Sequence, residues 1–173
     1  GYFERVLVAT DDSRIYDYVN GFGGEAIMTD AGHNSGSERC EEVSQLLKLK
    51  DEDILINIQG DEPFIEGIHI SLVAESFKDR SVTISTLAKR IEREEELWDP
   101  NVVKVLVNVL GYAIYFSRQT IPYQRNCELK EWFRQGSYYK HIGLYGYKVG
   151  ILKKLLRLRM SNLEKMEGLE QLR

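Results

Sequence analysis

The sequence predicts a three-layer α/β fold with a mostly parallel sheet. Short apolar segments rich in β-branched residues, which is the pattern of buried strands, alternate with segments whose apolar residues recur at helical spacing. Two further apolar segments, 102–107 and 111–116, are separated by a short turn, which indicates an inserted antiparallel hairpin.

The start of the chain follows a strand–helix–strand pattern. Residues 5–10 are a short apolar strand, and 11–13 supply a polar turn and a helix N-cap. Apolar residues between 15 and 22 recur at helical spacing before two glycines end the helix, and 26–28 form a second strand. A β-α-β unit of this kind has a right-handed crossover.

The alternation continues to the end of the chain. Loop 29–39 is polar, and Ser37 is predicted to cap the helix that runs through Leu49. A strand over 54–58 ends in the polar turn 59–63. The remaining predicted elements are a helix over 68–77, a strand over 82–87, a short surface helix over 91–97 with solvated glutamates, the hairpin, a loop over 117–126, a short helix over 128–134, a strand over 141–147, and helices over 149–158 and 163–173.

Length and composition indicate one globular domain, which we place at 1–173. Hydrophobic residues make up 43% and charged residues 29%, and the net charge of -4 disfavours a nucleic-acid or membrane-surface binder. Neither Cys40 nor Cys127 has metal-ligand spacing to another Cys or His. Because there is no spanning apolar run and no signal peptide, we expect a cytoplasmic location.

Polar side chains at strand ends are the first candidates for chemistry. Asp61 follows a buried strand, and a carboxylate there can bind Mg²⁺ together with substrate phosphates. The loop 33–39 leads into a helix N-terminus, where backbone N–H groups favour anions and Asn34 or Ser35 can contact a base edge. A solvated turn and a plain capping loop remain open alternatives for these two segments.

A second group of polar residues lies in the last third of the chain. Arg118 and Arg125 suit a carboxylate or a phosphate, and His141 and Tyr145 share one face of a strand. In the last helix Glu164, Glu167 and Gln171 share a face, with Glu170 beside it. Surface residues without a ligand remain the alternative for all of them. There is no Walker motif, zinc spacing or Ser-His-Asp order, so any enzyme here positions its substrates around a metal.

Several motifs match one family in order and spacing, although each alone is weak. They are Val8-Ala9-Thr10-Asp11, Met28-Thr29, the segments 33–39, 57–63, 100–105 and 111–118, Ile121-Pro122, the segment 141–147 and Leu169-Glu170-Gln171-Leu172-Arg173. Through them, over essentially its whole length, the chain resembles the 3-deoxy-manno-octulosonate (KDO) cytidylyltransferases, or CMP-KDO synthetases. The resemblance implies a nucleotide-diphospho-sugar-transferase-like fold.

The resemblance also implies a reaction, in which CTP and KDO give CMP-KDO and pyrophosphate with Mg²⁺, for lipopolysaccharide synthesis. Asp61 would be the catalytic metal ligand. The cytidine side would be lined by Thr10, Asp11, Asn34, Ser35, Gly36 and Arg39, and the sugar acid would contact Gln59, Arg118, Arg125, His141, Tyr145, Glu170 and Gln171. The hairpin would pack against a second subunit, which makes a homodimer.

Two departures from the family pattern bear on activity. The family opens with a strand and a triphosphate loop rich in Arg, Gly and Lys, and its later Val-Asp-Thr-Pro-like turn supplies a second metal ligand. Neither occurs between Gly1 and Arg173, so we expect a fragment that is inactive or nearly so by itself. Two alternatives stay open: a cytidylyltransferase for another sugar acid, such as a sialic acid, and a nucleotide-binding or assembly protein without catalysis.

Overall fold

The computed structural model describes residues 3–60 and 64–173. The chain divides into two compact units. Unit one combines Gly1–Ser85 with Leu144–Arg157, and unit two combines Thr86–Gly143 with Leu158–Arg173. The predicted metal ligand Asp61 lies outside the described residues.

The described strands and helices alternate as predicted, and the predicted hairpin interrupts the alternation. The strands are β1 (Val8–Thr10), β2 (Ala26–Met28), β3 (Ile54–Asn57), β4 (Ile84–Arg90), β5 (Lys104–Val107), β6 (Ala113–Ser117) and β7 (Tyr139–Lys148). The helices are α1 (Ser13–Gly21), α2 (Gly36–Leu46), α3 (Gly67–Ser76), α4 (Glu94–Trp98), α5 (Trp132–Gln135), α6 (Val149–Leu156) and α7 (Asn162–Glu167). Two 3₁₀ turns cover Leu129–Glu131 and Glu170–Leu172.

Strand direction departs from the prediction. In unit one β1 and β2 are parallel, whereas β3 runs antiparallel to the end of β7. In unit two β5 and β6 form the predicted antiparallel hairpin, and Lys104 pairs antiparallel with Lys140 of β7. The α/β class is therefore confirmed, but the expectation of a mostly parallel sheet is wrong among the described strands. Apolar runs identify buried strands and contain no information on their direction.

The N-cap of α2 lies two residues before the predicted one. Ser35, not Ser37, is the N-cap, because its hydroxyl accepts the Glu38 N–H at 3.3 Å and the helix begins at Gly36. Ser37 lies inside the helix and is buried. Either serine satisfies the sequence pattern of a cap, so the pattern could not select between them.

The last predicted helix is shorter than expected. A capping box of Ser161 and Glu164 starts α7, and Gly168 ends it in the left-handed conformation, with φ of 62°. Glu170 and Gln171 then lie on a separate 3₁₀ turn. The prediction that Glu164, Glu167 and Gln171 share one helix face is therefore wrong.

The sequence predicted that the glutamates of α4 are solvated, and this is wrong for Glu96. Glu96 is buried and pairs with Arg93 at 2.8 Å and with Lys140 at 2.6 Å. Hydrogen bonds from Arg93, which has the larger effect, and from Lys140 lower the pKa of Glu96, although burial acts to raise it. A helix-local charge pattern cannot reveal a cation supplied by a distant strand.

Each unit has its own buried residues. In unit one α3 packs directly on β7, where an added Cβ at Gly146 would lie 2.6 Å from the Phe77 ring and 2.8 Å from Val73. Unit two has two clusters, Ile91, Leu97, Trp132 and Tyr138 in one and Val105, Phe116 and Leu169 in the other. In the described part of the chain, every helix is too short or too polar to cross a membrane.

Candidate active site

The turn after β1 is held by buried polar groups in unit one. Thr10 is buried, and its hydroxyl accepts the backbone N–H of Asp12 at 3.1 Å. Its carbonyl accepts the Thr29 N–H at 2.9 Å. The side chain of Asp11 is therefore presented from a fixed turn at the carboxyl end of a strand, where ligands of α/β folds commonly bind.

Arg39 joins this turn to the first turns of α2. One of its terminal nitrogens, Nη2, lies 3.2 Å from a carboxylate oxygen of Asp11, and the other donates to the Thr29 hydroxyl. The structure thus brings together Thr10, Asp11 and Arg39, three of the residues predicted for the nucleotide side. Because Asp11 offsets the charge of Arg39, the pair presents polar groups with little net charge.

The loop before α2 is also internally bonded. The backbone N–H of Asn34 donates to the Glu38 carboxylate at 2.7 Å, while the Ser35 hydroxyl caps the helix. His33, just before Asn34, lies 2.5 Å from the Glu42 carboxylate. This hydrogen bond, with a second from the Asp30 N–H, lowers the pKa of Glu42. The loop is therefore preformed, with the Asn34 side chain exposed.

Gly36 brings the α2 N-terminus close to the end of β3. An added Cβ there would lie 3.1 Å from the side-chain amide nitrogen of Asn57, the last residue of β3. Gln59, predicted for the sugar acid, follows two residues later and is exposed. No group of three or more His, Cys, Asp or Glu side chains in residues 3–60 and 64–173 could hold a metal ion.

In unit two the Arg118 side chain is fixed by main-chain carbonyls. Its Nε donates to Glu167 O at 2.6 Å, Nη1 to Pro100 O at 3.0 Å and Nη2 to Gly168 O at 3.3 Å. A guanidinium has five N–H groups, so these bonds leave one on each Nη. The orientation of the Arg118 guanidinium is therefore fixed by three main-chain carbonyls.

Glu167 anchors the Arg118 segment, and the sequence did not single it out for this task. Its carboxylate accepts the Ser117 hydroxyl at 2.7 Å and the Arg118 backbone N–H at 2.9 Å. Burial works to raise the pKa of Glu167, but these hydrogen bonds and the nearby guanidinium lower it overall. Glu167 therefore stays charged near neutral pH and ties the end of β6 to α7.

His141 is a neutral, hydrogen-bonded group in unit two. Its Nε2 lies 2.9 Å from the Thr86 hydroxyl and its Nδ1 lies 3.4 Å from the Gln171 amide nitrogen. Because the Thr86 hydroxyl donates to Ile142 O at 3.1 Å, Nε2 carries the proton and Nδ1 accepts. Burial, with the Phe116 ring edge-on at 5.1 Å, lowers the pKa of His141 to about 4.

The other predicted sugar-acid residues are divided between the two units. His141 and Gln171 are together in unit two, as the prediction requires, and Arg125 and Glu170 are exposed in the same unit. Tyr145 belongs to unit one, where its ring stacks on Tyr147 with centroids 5.6 Å apart. A ligand role for each of these residues stays a prediction.

Comparisons with known proteins agree with these observations. The cytidylyltransferase family model matches residues 1–173. A 3-deoxy-manno-octulosonate cytidylyltransferase of Thermodesulfovibrio yellowstonii is 49% identical over 98% of this chain and 69% of its own length. One of Cytophaga hutchinsonii is 50% identical over 98% of this chain and 67% of its own.

A solved structure is also similar. The structure of a CMP:2-keto-3-deoxy-manno-octonic acid synthetase complexed with CTP superposes with a TM-score of 0.86 at 40% sequence identity. The match covers 97% of this chain and 66% of that one, so the chain spans about two thirds of the relatives it resembles.

Proposed function

The chain belongs to the cytidylyltransferase family, and on that premise we propose that its protein joins CTP to KDO, giving CMP-KDO and pyrophosphate. The observation that carries this proposal is the match to relatives of that name at 49% and 50% identity over 98% of the chain. The similar structure with CTP bound supports CTP as the nucleotide.

The reaction needs positioning more than covalent chemistry. The anomeric oxygen of KDO attacks the α-phosphorus of CTP and its hydroxyl proton is released to solvent. A new P–O bond forms, and the bond from that phosphorus to the leaving pyrophosphate breaks. Alignment of the attacking oxygen and stabilisation of developing charge supply most of the rate in such transfers. The oriented Arg118 guanidinium supports binding of the sugar-acid carboxylate, and neutral His141 with Gln171 supports binding of its hydroxyls.

On the nucleotide side we assign the contacts in unit one to CTP. The preformed loop at Asn34–Gly36 and the Asp11–Arg39 pair offer polar groups of little net charge, which suits a cytosine edge and a ribose. Mg²⁺ would neutralise the triphosphate, and Asp61 would be one of its ligands because that cation takes one or two carboxylates plus phosphates.

We also assign a homodimer to this protein, with the β5–β6 hairpin as its interface. Large apolar side chains are exposed along the hairpin and its turn, namely Val109, Leu110, Tyr112 and Ile114. Contiguous exposed apolar residues of this kind mark protein interfaces. The product would serve lipopolysaccharide synthesis in the cytoplasm.

The proposal is tested with the full-length protein, CTP, Mg²⁺ and a panel of sugar acids. Pyrophosphate release with stoichiometric CMP-KDO, and much slower turnover of a sialic acid, is the expected result. Preference for another acid would replace KDO as the substrate. CTP binding without turnover of any acid would leave a nucleotide-binding protein and remove the proposed reaction.

A further inference from the structure

Lys104 is a fully buried lysine at the start of the apolar strand β5. Its side chain is 0% exposed, and its ammonium donates to Asp99 O at 2.8 Å and to Val102 O at 2.6 Å. Lysine is almost never buried completely unless its charge has partners. These two carbonyls belong to the turn between α4 and β5, so the ammonium ties that turn to the strand that follows it.

The same turn supplies a carbonyl to the proposed sugar-acid site. Pro100 O, which lies between the two acceptors of Lys104 in the sequence, accepts from Nη1 of Arg118 at 3.0 Å. The other two acceptors of the guanidinium, Glu167 O and Gly168 O, come from the end of α7. The guanidinium therefore bridges two segments, and its plane is fixed only while both stay in place.

We propose that Lys104 is a positioning residue of the active site: its buried ammonium holds the 99–102 turn so that Pro100 O orients Arg118 toward the sugar-acid carboxylate. This inference rests on the proposed function and adds a residue to it. Lys104 does not touch the substrate and acts only through Arg118.

The surroundings explain why a cation is needed there. Without it Val102 O would lose the Lys104 donor, and Asp99 O would keep only the Val102 N–H at 3.2 Å. A buried unsatisfied carbonyl costs about 1–3 kcal/mol. Burial lowers the pKa of Lys104, the Arg118 charge lowers it further, and the charges of Asp99 and Glu167 oppose this. Lys104→Met fills a similar volume but supplies no donor, so it removes both ammonium bonds to the turn without opening a large cavity.

The test is a set of variants of the full-length protein, assayed for KM of each substrate. Lys104→Met should raise the KM for KDO about tenfold, the value of one well-placed hydrogen bond, and leave the KM for CTP within about twofold. Ile91→Ala is the matched control, because it removes a buried side chain from the same unit and leaves Lys104 and both of its carbonyl acceptors in the sequence unchanged. It should lower the melting temperature but leave both KM values unchanged.

A double variant separates positioning from general damage. Arg118→Ala should raise the KM for KDO, and Lys104→Met added to it should have no further effect, because both changes remove the same interaction. Should Lys104→Met fail to fold, Lys104→Arg keeps the charge but moves the donors, and it should show the same selective rise.

Three results would overturn the inference. They are equal changes in both KM values, an unchanged KM for KDO in a folded Lys104 variant, and full additivity with Arg118→Ala. If one of these results is found while the unaltered protein converts CTP and KDO normally, the proposed function still stands. Absence of turnover by the unaltered protein would remove both.

Discussion

Acidification should destabilise unit two through His141 well above the pH range where carboxylates are protonated. The pKa of this histidine is about 4 in the folded protein, against about 6.5 for an unperturbed histidine. Between these values the unfolded chain binds a proton that the folded chain does not, so stability falls as the pH falls. Above pH 6.5 both states are neutral there, and His141 has no effect.

The size of the effect follows from the same two values. One pKa unit corresponds to about 1.4 kcal/mol, so the full window from pH 6.5 to pH 4 is worth about 3 kcal/mol. From pH 6.5 to pH 5 the loss should be about 2 kcal/mol. This upper part of the window is diagnostic, because the carboxylates of Glu96, Glu164 and Glu167, whose pKa values are lowered, titrate below it.

Urea unfolding followed by tryptophan fluorescence measures this loss directly. The chain has two tryptophans, Trp98 and Trp132, and both lie in unit two. In His141→Gln the free energy of unfolding should change little between pH 6.5 and pH 5, whereas the unaltered protein loses about 2 kcal/mol. His69→Gln, in unit one, is the control and should keep the full slope. Equal slopes in the unaltered protein and His141→Gln would refute the assignment.

Three further outcomes are expected. Asp61→Asn should nearly abolish pyrophosphate release and leave the circular dichroism spectrum unchanged; full activity would exclude Asp61 from metal binding. Gly36→Val should raise the KM for CTP about tenfold but not that for KDO, because its Cβ would crowd the Asn57 amide at 3.1 Å; an unchanged KM for CTP would separate this contact from the nucleotide. Glu96→Gln should cost about 1–3 kcal/mol in urea unfolding, because Lys140 and Arg93 lose their charged partner; no loss would make the pair energetically neutral.

Local patterns predicted the elements of this fold better than their arrangement. The hairpin at β5 and β6 was predicted from two apolar strands with a short turn, and the structure confirms it. The antiparallel pairing of β3 with β7 was missed, since the partners are far apart in sequence. The end of α7 could have been found, because Gly168 is a residue type that commonly ends helices.

The candidate site, like the fold, was predicted only in part from the sequence. Thr10, Asp11 and Arg39 were named from a resemblance, and the structure brings them together. Glu167 and Lys104 were missed, because their tasks depend on main-chain groups that no sequence pattern displays. For Lys104 one signal was present: a lone cation inside the apolar run 102–107 must be either exposed or paired with buried acceptors.

These contacts limit what Arg118 can recognise. Three of its five N–H groups donate to main-chain carbonyls, so at most one on each Nη can reach a ligand. A carboxylate has two oxygens and can accept from both in a paired geometry, which adds orientation to charge. A lysine at this position could not donate in a plane to three fixed carbonyls and still present two donors. The main-chain acceptors therefore favour arginine at this position. If Arg118 binds the sugar-acid carboxylate as proposed, the 99–102 turn and the end of α7 set the direction of that carboxylate.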